Sequence, residues 1–244
     1  MFLSQIYLSD DGNMHSIISK RSQKLQKLYQ ECDYKVYTNS ALEDLIKKNF
    51  DGDVYDAYNN LVPYAFKADL AKFCILYLIG GWYFYIGINL MKKIKIDEDI
   101  DLFFFRDLDT KFCLSPVVNG IIFTKEKRNP IFFECIKKIV ENVKNKFYGQ
   151  FSLDVSGPNL LSRRIPYYED KYIIQYGQLR ALTPDLNNKN LAFVGQDGTI
   201  YAYFDSLRQL KIRFPEEFTN VQNYNEFYNN KRVYKSEILN ENNF

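Results

Sequence analysis

The chain has 244 residues, a hydrophobic fraction of 46%, a charged fraction of 25% and a formal net charge of +2. These values are those of a globular protein with one sizeable core, and the small net charge gives no electrostatic argument for nucleic-acid binding. Four widely spaced cysteines and one histidine leave little support for a disulfide framework, a zinc site or a Ser-His-Asp triad. The first residues lack the basic start and cleavage site of a signal peptide, which predicts a reducing, cytoplasmic location.

The first elements alternate between strand and helix. Residues 3–8 are predicted as a buried strand, residues 15–31 as a helix and residues 34–37 as a second strand. Ser40 is expected to cap the next helix, with Glu43 completing a capping box. This order favours an α/β fold with parallel strands.

An uncharged run covers residues 73–91, and a hydropathy window would report it as a membrane span. Gly80 and Gly81 interrupt the run, and Pro63 is suited to the first turn of the helix that leads into it. We therefore interpret the run as the buried end of a helix, a turn and a central strand over 82–86. A membrane span is the lesser alternative.

The second half of the chain continues the mixture of strands and helices. Strands are predicted at residues 101–105, 117–124, 171–175, 191–194 and 199–204. A helix is predicted from Pro130 to about residue 146, and a short one from Ser156. Residues 1–204 are expected to form one domain, and the polar and aromatic residues 205–244 a C-terminal lid or tail of the same domain.

Two groups of charged residues stand where ligands are often bound. Asp69 and Lys72 lie one turn apart on the same face of the helix before the Gly-Gly turn. Asp107 and Asp109 follow directly after a predicted strand, the usual place for ligands in α/β proteins. The ordinary alternatives are a surface ion pair for the first group and a solvated turn for the second.

The segment from Ala65 to Tyr83, with its acid, its base and its Gly-Gly-Trp-Tyr turn, resembles the sugar-binding region of DXD glycosyltransferases. This is glycosyltransferase family 32, which includes bacterial capsule and lipooligosaccharide enzymes. Further blocks are similar to bacterial members in the same order, namely Phe104–Asp107, Ser156–Pro158, Asn223–Phe227 and Arg232–Tyr234. The resemblance implies a single-domain GT-A-like α/β fold, with a Rossmann-like mixed sheet flanked by helices.

The resemblance also implies a reaction. The chain would transfer a sugar from a UDP- or GDP-linked donor to a glycan or glycolipid acceptor of a bacterial surface, with retention of the anomeric configuration. It would act in the cytoplasm or at the inner face of the membrane, as a peripheral protein without a transmembrane segment.

Donor-binding residues follow from the same resemblance. Asp69 corresponds to an acid that accepts hydrogen bonds from the donor sugar, and Lys72 to an arginine that reaches sugar or phosphate. The Gly-Gly turn is expected to let the backbone approach the ligand and the next strand enter the sheet. The full set is Asp69, Lys72, Gly80, Gly81, Tyr83, Tyr85, Gly157, Pro158, Asn159, Tyr224, Asn225, Lys231 and Arg232.

The chain departs from this family at the metal site. The family holds Mn²⁺ or Mg²⁺ with an Asp-x-Asp, because hard cations take oxygen ligands and neutralise the leaving diphosphate. Here those positions are Tyr85, Ile86 and Gly87, which carry no carboxylate.

Three alternatives remain open from the sequence. Asp107 or Asp109 supplies the metal ligand instead, or basic residues such as Lys231 and Arg232 neutralise the diphosphate without a metal. The third alternative is a sugar- or nucleotide-binding pseudoenzyme of the same fold. In the C-terminal segment and at the Gly157 helix start, a structural role is the alternative to ligand binding.

Overall fold

A computed structural model describes residues 1–10, 12–108, 116–183, 191–216, 218 and 221–235. The strands are β1 Phe2–Ile6, β2 Asp33–Tyr37, β3 Gly81–Phe84, β4 Ile88–Leu90, β5 Leu102–Arg106, β6 Val117–Thr124, β7 Ile174–Ala181, β8 Leu191–Val194 and β9 Ile200–Phe204. The helices are α1 Ser16–Leu28, α2 Asn39–Asn49, α3 Gly52–Asn60, α4 Tyr64–Ile79, α5 Pro130–Lys144, α6 Pro158–Arg164, α7 Leu207–Arg213 and α8 Tyr224–Asn229. Short 3-10 turns cover Ser152–Asp154 and Ile165–Tyr167.

The strands form one mixed sheet in the order β2-β1-β3-β6-β5-β7-β8-β9-β4. The expected parallel pairing holds for β1 with β2 and β3, and for β5 with β7, whereas the other pairs are antiparallel. Because β3 and β5 both run antiparallel to β6, the carboxyl ends of β1, β2, β3, β5 and β7 lie together at what we call the carboxyl edge. β4 follows β3 in the chain but pairs with β9 at the opposite end of the order, so the sheet curls.

Both faces of the central strands are buried. Phe104 packs into the cluster formed with α2 to α6, while Phe103 and Phe105 point to the opposite cluster with α1 and β4. Alternation of side chains along a strand, with both faces covered, explains why β5 is an unbroken apolar run up to Arg106. The expected α/β class, a mixed sheet flanked by helices, is confirmed.

The apolar run at 73–91 divides as expected into a helix end, a turn and strands. α4 ends at Ile79, Gly80 has a φ of +69° and β3 starts at Gly81. The helix has 16 residues. Across the ranges that the structure describes, the helices are too short or too polar to cross a membrane.

Several local predictions need correction. The capping box at Ser40 and Glu43 is wrong, because α2 already begins at Asn39 and Thr38 occupies the cap without a side-chain hydrogen bond. Helix α3 and strand β4 were not predicted, and β7 starts at Ile174, three residues later than expected. These elements are short or depend on distant partners.

The C-terminal segment joins the body of the molecule rather than standing apart. Leu210 and Phe218 pack with Ile18, and Val233 and Tyr234 are fully buried in the main core. The division into 1–204 and 205–244 stays a prediction.

Candidate functional site

The sheet opens a crevice at the carboxyl ends of β1 and β3. The chain leaves β1 through α1 to reach β2 on one side, while β3 lies on the other side of β1. Such a reversal of strand order is where α/β proteins bind ligands. The segment Tyr85–Gly87 follows β3 at this edge, and α4 begins at the same edge because it ends at the amino end of β3.

Asp69 on α4 is held by three donors. Lys72 Nζ lies 2.8 Å and Asn119 Nδ2 2.9 Å from Asp69 Oδ1, and Ser156 Oγ lies 3.1 Å from Oδ2. The Asp69 side chain nevertheless keeps 16% of its surface exposed. The carboxylate is therefore fixed in orientation and still open to a ligand. Asn119 and Ser156 were missed as its partners, although the Asn119-Gly120 irregularity and the Ser156 motif were visible in the sequence.

Lys72 is enclosed and acts on Asp69. Its side chain is only 3% exposed, and its ammonium lies 5.5 Å from the Tyr83 ring and 5.2 Å from the Phe73 ring. Burial lowers the pKa of Lys72, while the charge of Asp69 opposes that shift. Burial likewise raises the pKa of the Tyr83 hydroxyl. The Lys72 ammonium is thus directed at Asp69 and enclosed by aromatic rings, and its contact with a sugar or phosphate stays a prediction.

Tyr85, at the first Asp-x-Asp position, connects the strand end to α7. Its hydroxyl accepts a hydrogen bond of 3.1 Å from the Leu207 backbone N–H, and its ring lies 5.9 Å from that of Phe204. Burial raises the pKa of Tyr85 to about 12, so the hydroxyl stays neutral at physiological pH. Tyr85 thus fills the position with a neutral aromatic group.

Gly87, at the second Asp-x-Asp position, has no room for a side chain. A Cβ atom there would lie 2.2 Å from the Asp205 carbonyl oxygen and 2.6 Å from Tyr85 Cε1. The Gly87 carbonyl also accepts a hydrogen bond of 2.7 Å from Arg21 Nη1. The link between β9 and α7 therefore occupies the space that a carboxylate would need.

The expected site for Mn²⁺ or Mg²⁺ is not a cluster of ligating side chains among the described residues. Across those ranges, the structure brings together no group of three or more His, Cys, Asp or Glu side chains that could hold a metal. The Asp107 carboxylate accepts a hydrogen bond from the adjacent Leu108 N–H at 2.7 Å, and burial raises its pKa. Asp109 lies outside the described residues. Asp107 and Asp109 as metal ligands stay a prediction.

Gly80 and Gly81 let β3 enter the sheet as expected, and their approach to a ligand stays a prediction. Both lie at the amino end of β3, at the edge opposite Tyr85, with φ of +69° and +80°. A Cβ on Gly81 would lie 2.3 Å from the Phe2 carbonyl oxygen, and one on Gly80 would lie 3.2 Å from the Glu126 carbonyl oxygen. The close approach is between backbone segments of the protein.

The helix start at Gly157–Asn159 supports the loop that carries Ser156. A Cβ on Gly157 would lie 3.0 Å from the Leu153 carbonyl oxygen. Asn159 Nδ2 donates to Oδ1 of the buried Asp154 at 2.9 Å. Gly157 and Asn159 therefore have structural partners, and Pro158 begins the seven-residue α6. Their role in donor binding stays a prediction.

Three C-terminal residues of the predicted site contact either α4 or the segment between α5 and α6. Tyr224 packs against Phe66 at the start of α4, with ring centroids 5.8 Å apart. Asn225 Oδ1 accepts a hydrogen bond from Ser152 Oγ at 2.8 Å. Lys231 Nζ lies 4.0 Å from the Tyr148 ring centroid, and Lys231 and Arg232 are exposed.

A cavity of about 450 Å³ lies beside α4, near the carboxyl ends of β1 and β2. Its lining residues are Asn39, Leu61, Val62, Tyr64, Lys67, Gln222 and Lys235. Burial, and secondarily the charge of Lys235, lowers the pKa of Lys67 to about 8. No motif in the sequence predicts this cavity, because α2, α4 and the C-terminal segment meet only in the folded chain.

Comparisons with known proteins agree on one class. No protein-family profile matches the chain. Over 138 residues it is 24% identical to an uncharacterized glycosyltransferase of Acanthamoeba polyphaga mimivirus, in a match that covers 56% of this chain and 54% of that protein. The chain thus spans about half the length of the curated relative it matches.

Among solved structures, the chain is similar to one described as the PaToxG glycosyltransferase, with a TM-score of 0.53 and 16% identity over 69% of each chain. This likeness shows the fold. The family 32 assignment remains a resemblance, since no profile supports it. The chain is therefore similar in sequence to one glycosyltransferase and shares the fold of another.

Proposed function

We propose that the chain is a glycosyltransferase that moves a sugar from a UDP- or GDP-linked donor to a hydroxyl of a glycan or glycolipid. The observation that carries this proposal is the Asp69 carboxylate, fixed by three donors and still partly open at the carboxyl edge. A carboxylate held in this way can accept hydrogen bonds from sugar hydroxyls without reorganising. The similarity to glycosyltransferases supports the same reaction class.

In the proposed reaction, the bond between the anomeric carbon and the β-phosphate oxygen breaks, and its electron pair stays on the nucleoside diphosphate. The acceptor oxygen forms the new bond to the anomeric carbon, and its proton passes to the departing diphosphate. Asp69 orients the sugar, and Lys72, Asn119 and Ser156 hold Asp69 in place. Fixed orientation of a bound sugar lowers the entropic part of the barrier.

We assign the cavity beside α4 to the nucleotide part of the donor. It combines an aromatic ring, Tyr64, with two lysines, Lys67 and Lys235, and has the volume of a small-molecule site. Tyr64 and Lys67 belong to the same first turns of α4 that lead to Asp69. One helix would then contact both halves of the donor.

Binding of the nucleotide is expected to weaken as the pH rises through about 8. The pKa of Lys67 is lowered to about 8, so its ammonium is present below that pH and lost above it. An anionic ligand binds the ammonium form better, and its affinity therefore falls over this range. Isothermal titration calorimetry with UDP or GDP at several pH values between about 6.5 and 9 measures this fall in affinity.

Lys67→Met should remove this pH step, and Lys48→Met on the exposed face of α2 should keep it. The phosphate groups of the nucleotide also change protonation with pH, but their effect on the affinity is the same for both variants. An identical pH profile for Lys67→Met and the unchanged protein would contradict the assignment of the cavity.

We also propose a bacterial surface glycan as acceptor, retention of configuration, and a place in the cytoplasm or at the inner face of the membrane. Support for these finer points comes from the resemblance to capsule and lipooligosaccharide enzymes. Proton NMR of the first product measures the anomeric configuration directly.

One assay tests the proposed function. The protein is incubated with a panel of UDP- and GDP-sugars, and released nucleotide and thermal shift are measured. We expect one donor to be turned over and to raise the melting temperature. Binding without turnover, with acceptor glycans present, would favour the pseudoenzyme. The absence of both would contradict the proposal.

A further inference from the structure

The end of β3 carries no Asp-x-Asp carboxylates, but a positively charged side chain of the protein lies beside it. Arg21 reaches it from α1, with Nη1 2.7 Å from the Gly87 carbonyl oxygen and Nη2 2.8 Å from Asp205 Oδ2. Its side chain is 13% exposed. A planar guanidinium with two fixed acceptors is a rigid group, unlike a lysine ammonium.

A second arginine shares the same carboxylate. Arg213, at the end of α7, forms an ion pair with Asp205 Oδ1, and its side chain is 52% exposed. Two guanidinium groups thus surround one carboxylate, and the cluster of Arg21, Asp205 and Arg213 carries a net positive charge. We call it the arginine cluster.

The arginine cluster lies at the same strand end as the proposed donor site. Arg21 donates to the Gly87 carbonyl just after β3, and the ring of Tyr83 within β3 lies 5.5 Å from the Lys72 ammonium that pairs with Asp69. The Tyr85 hydroxyl accepts a hydrogen bond from the Leu207 N–H, so Tyr85 joins the strand end to α7, the helix that carries Arg213. The end of β3 thus connects the arginine cluster to the carboxylate that we propose orients the sugar.

The structure of Gly87 explains why a metal site and the arginine cluster exclude each other. The Asp205 carbonyl oxygen fills the place of a Cβ on Gly87, and the Asp205 carboxylate is neutralised by arginines. The oxygen atoms named at this strand end are the Gly87 and Asp205 backbone carbonyls and a carboxylate that is already paired with two arginines, a set that does not fit Mn²⁺ or Mg²⁺.

We propose that the arginine cluster is the cation of the donor site, so that transfer needs no divalent metal at the end of β3. The inference rests on the proposed function. When the sugar leaves, negative charge grows on the β-phosphate oxygens, and guanidinium groups stabilise phosphate by paired charge-assisted hydrogen bonds. Arg213 is exposed enough to contact the diphosphate, and Arg21 fixes the segment on which Tyr85 lies.

Metal dependence is the first test. Nucleotide release from the donor found in the panel is measured in EDTA and in increasing Mn²⁺ and Mg²⁺. We expect the rates of nucleotide release in EDTA and in added metal to agree within about twofold, because the arginine cluster supplies the positive charge. A loss of more than about tenfold in EDTA that Mn²⁺ restores would overturn the inference.

The second test separates the cluster from a merely structural role. Affinities for UDP and UMP, or for GDP and GMP, are measured for the unchanged protein and for Arg213→Gln, Arg21→Lys and Lys20→Gln. We expect Arg213→Gln to reduce the preference for the diphosphate over the monophosphate by about tenfold. Lys20→Gln, which removes an exposed charge from the same helix as Arg21, should leave that preference unchanged.

The outcomes distinguish the two proposals. If the unchanged protein binds neither nucleotide nor donor with or without metal, the proposed function fails. If it binds and transfers only with metal, the function stands and the arginine cluster fails as its cation. An unchanged diphosphate preference in Arg213→Gln and Arg21→Lys would also overturn the inference.

Discussion

Asp69→Asn is expected to lower the rate of sugar transfer by about 100-fold or more. The asparagine keeps the size of the side chain and loses the charge that makes it a strong acceptor for sugar hydroxyls. Hydrogen bonds to a charged group contribute about 1.5–3 kcal/mol each, so the loss of one or two of them accounts for this factor. Released nucleotide and the Michaelis constant for the donor measure the effect.

The same substitution is expected to destabilise the fold, because it leaves the Lys72 ammonium buried without its carboxylate. Removing one partner of a buried ion pair costs about 3–5 kcal/mol, and the partial exposure of Asp69 places the loss near the lower value. Denaturation in urea at pH 7 measures it.

A double variant separates stability from transfer. In Asp69→Asn combined with Lys72→Met, the buried charge is gone, so most of the stability should return. Transfer should stay low, since the acceptor carboxylate is still missing. Transfer by Asp69→Asn within about threefold of the unchanged protein would show that Asp69 does not bind the donor sugar.

Gly81→Ala is expected to lower the free energy of unfolding by more than about 3 kcal/mol. The left-handed backbone at Gly81 costs about 1–2 kcal/mol for a residue with a Cβ, and overpacking adds about 1–3 kcal/mol. Overpacking is certain here because the new methyl group would lie 2.3 Å from the Phe2 carbonyl oxygen. Strand β3 can accept the change only by moving away from β1.

Gly198→Ala is the matched control. Gly198 has nearly the same φ, +79° against +80° for Gly81, but no atom lies within 4 Å of its Cβ position. Only the backbone cost of about 1–2 kcal/mol should remain. Equal losses in the two variants, measured by thermal and urea denaturation, would contradict the packing explanation.

Much of the fold could be predicted because it depends on local sequence. Strand β6 was predicted at 117–124 and is found at those residues, since an apolar run bounded by polar residues defines a buried strand. Helix α5 starts at Pro130 as expected, because proline is suited to the first turn of a helix. The Gly-Gly turn correctly separated α4 from β3.

Strand β4 could not be predicted in the same way. It has three residues and exists through its pairing with β9, more than a hundred positions away in the chain. A strand of three residues is too short to show a periodic pattern of apolar side chains, and its pairing with β9 exists only in the folded, curled sheet. The capping box at Ser40 is also wrong, because α2 begins at Asn39 and its cap residue Thr38 makes no side-chain hydrogen bond.

By itself, the sequence determined the α/β class, the Asp69–Lys72 pair and the absence of carboxylates at Tyr85 and Gly87. Residue identity and helical spacing are enough for those conclusions. Only the tertiary structure decided that Asn119 and Ser156 hold Asp69, that Gly81 faces Phe2, and that arginines surround the end of β3. Those contacts join residues far apart in the chain, and they form because the curled sheet brings α1, α7 and the end of β3 together.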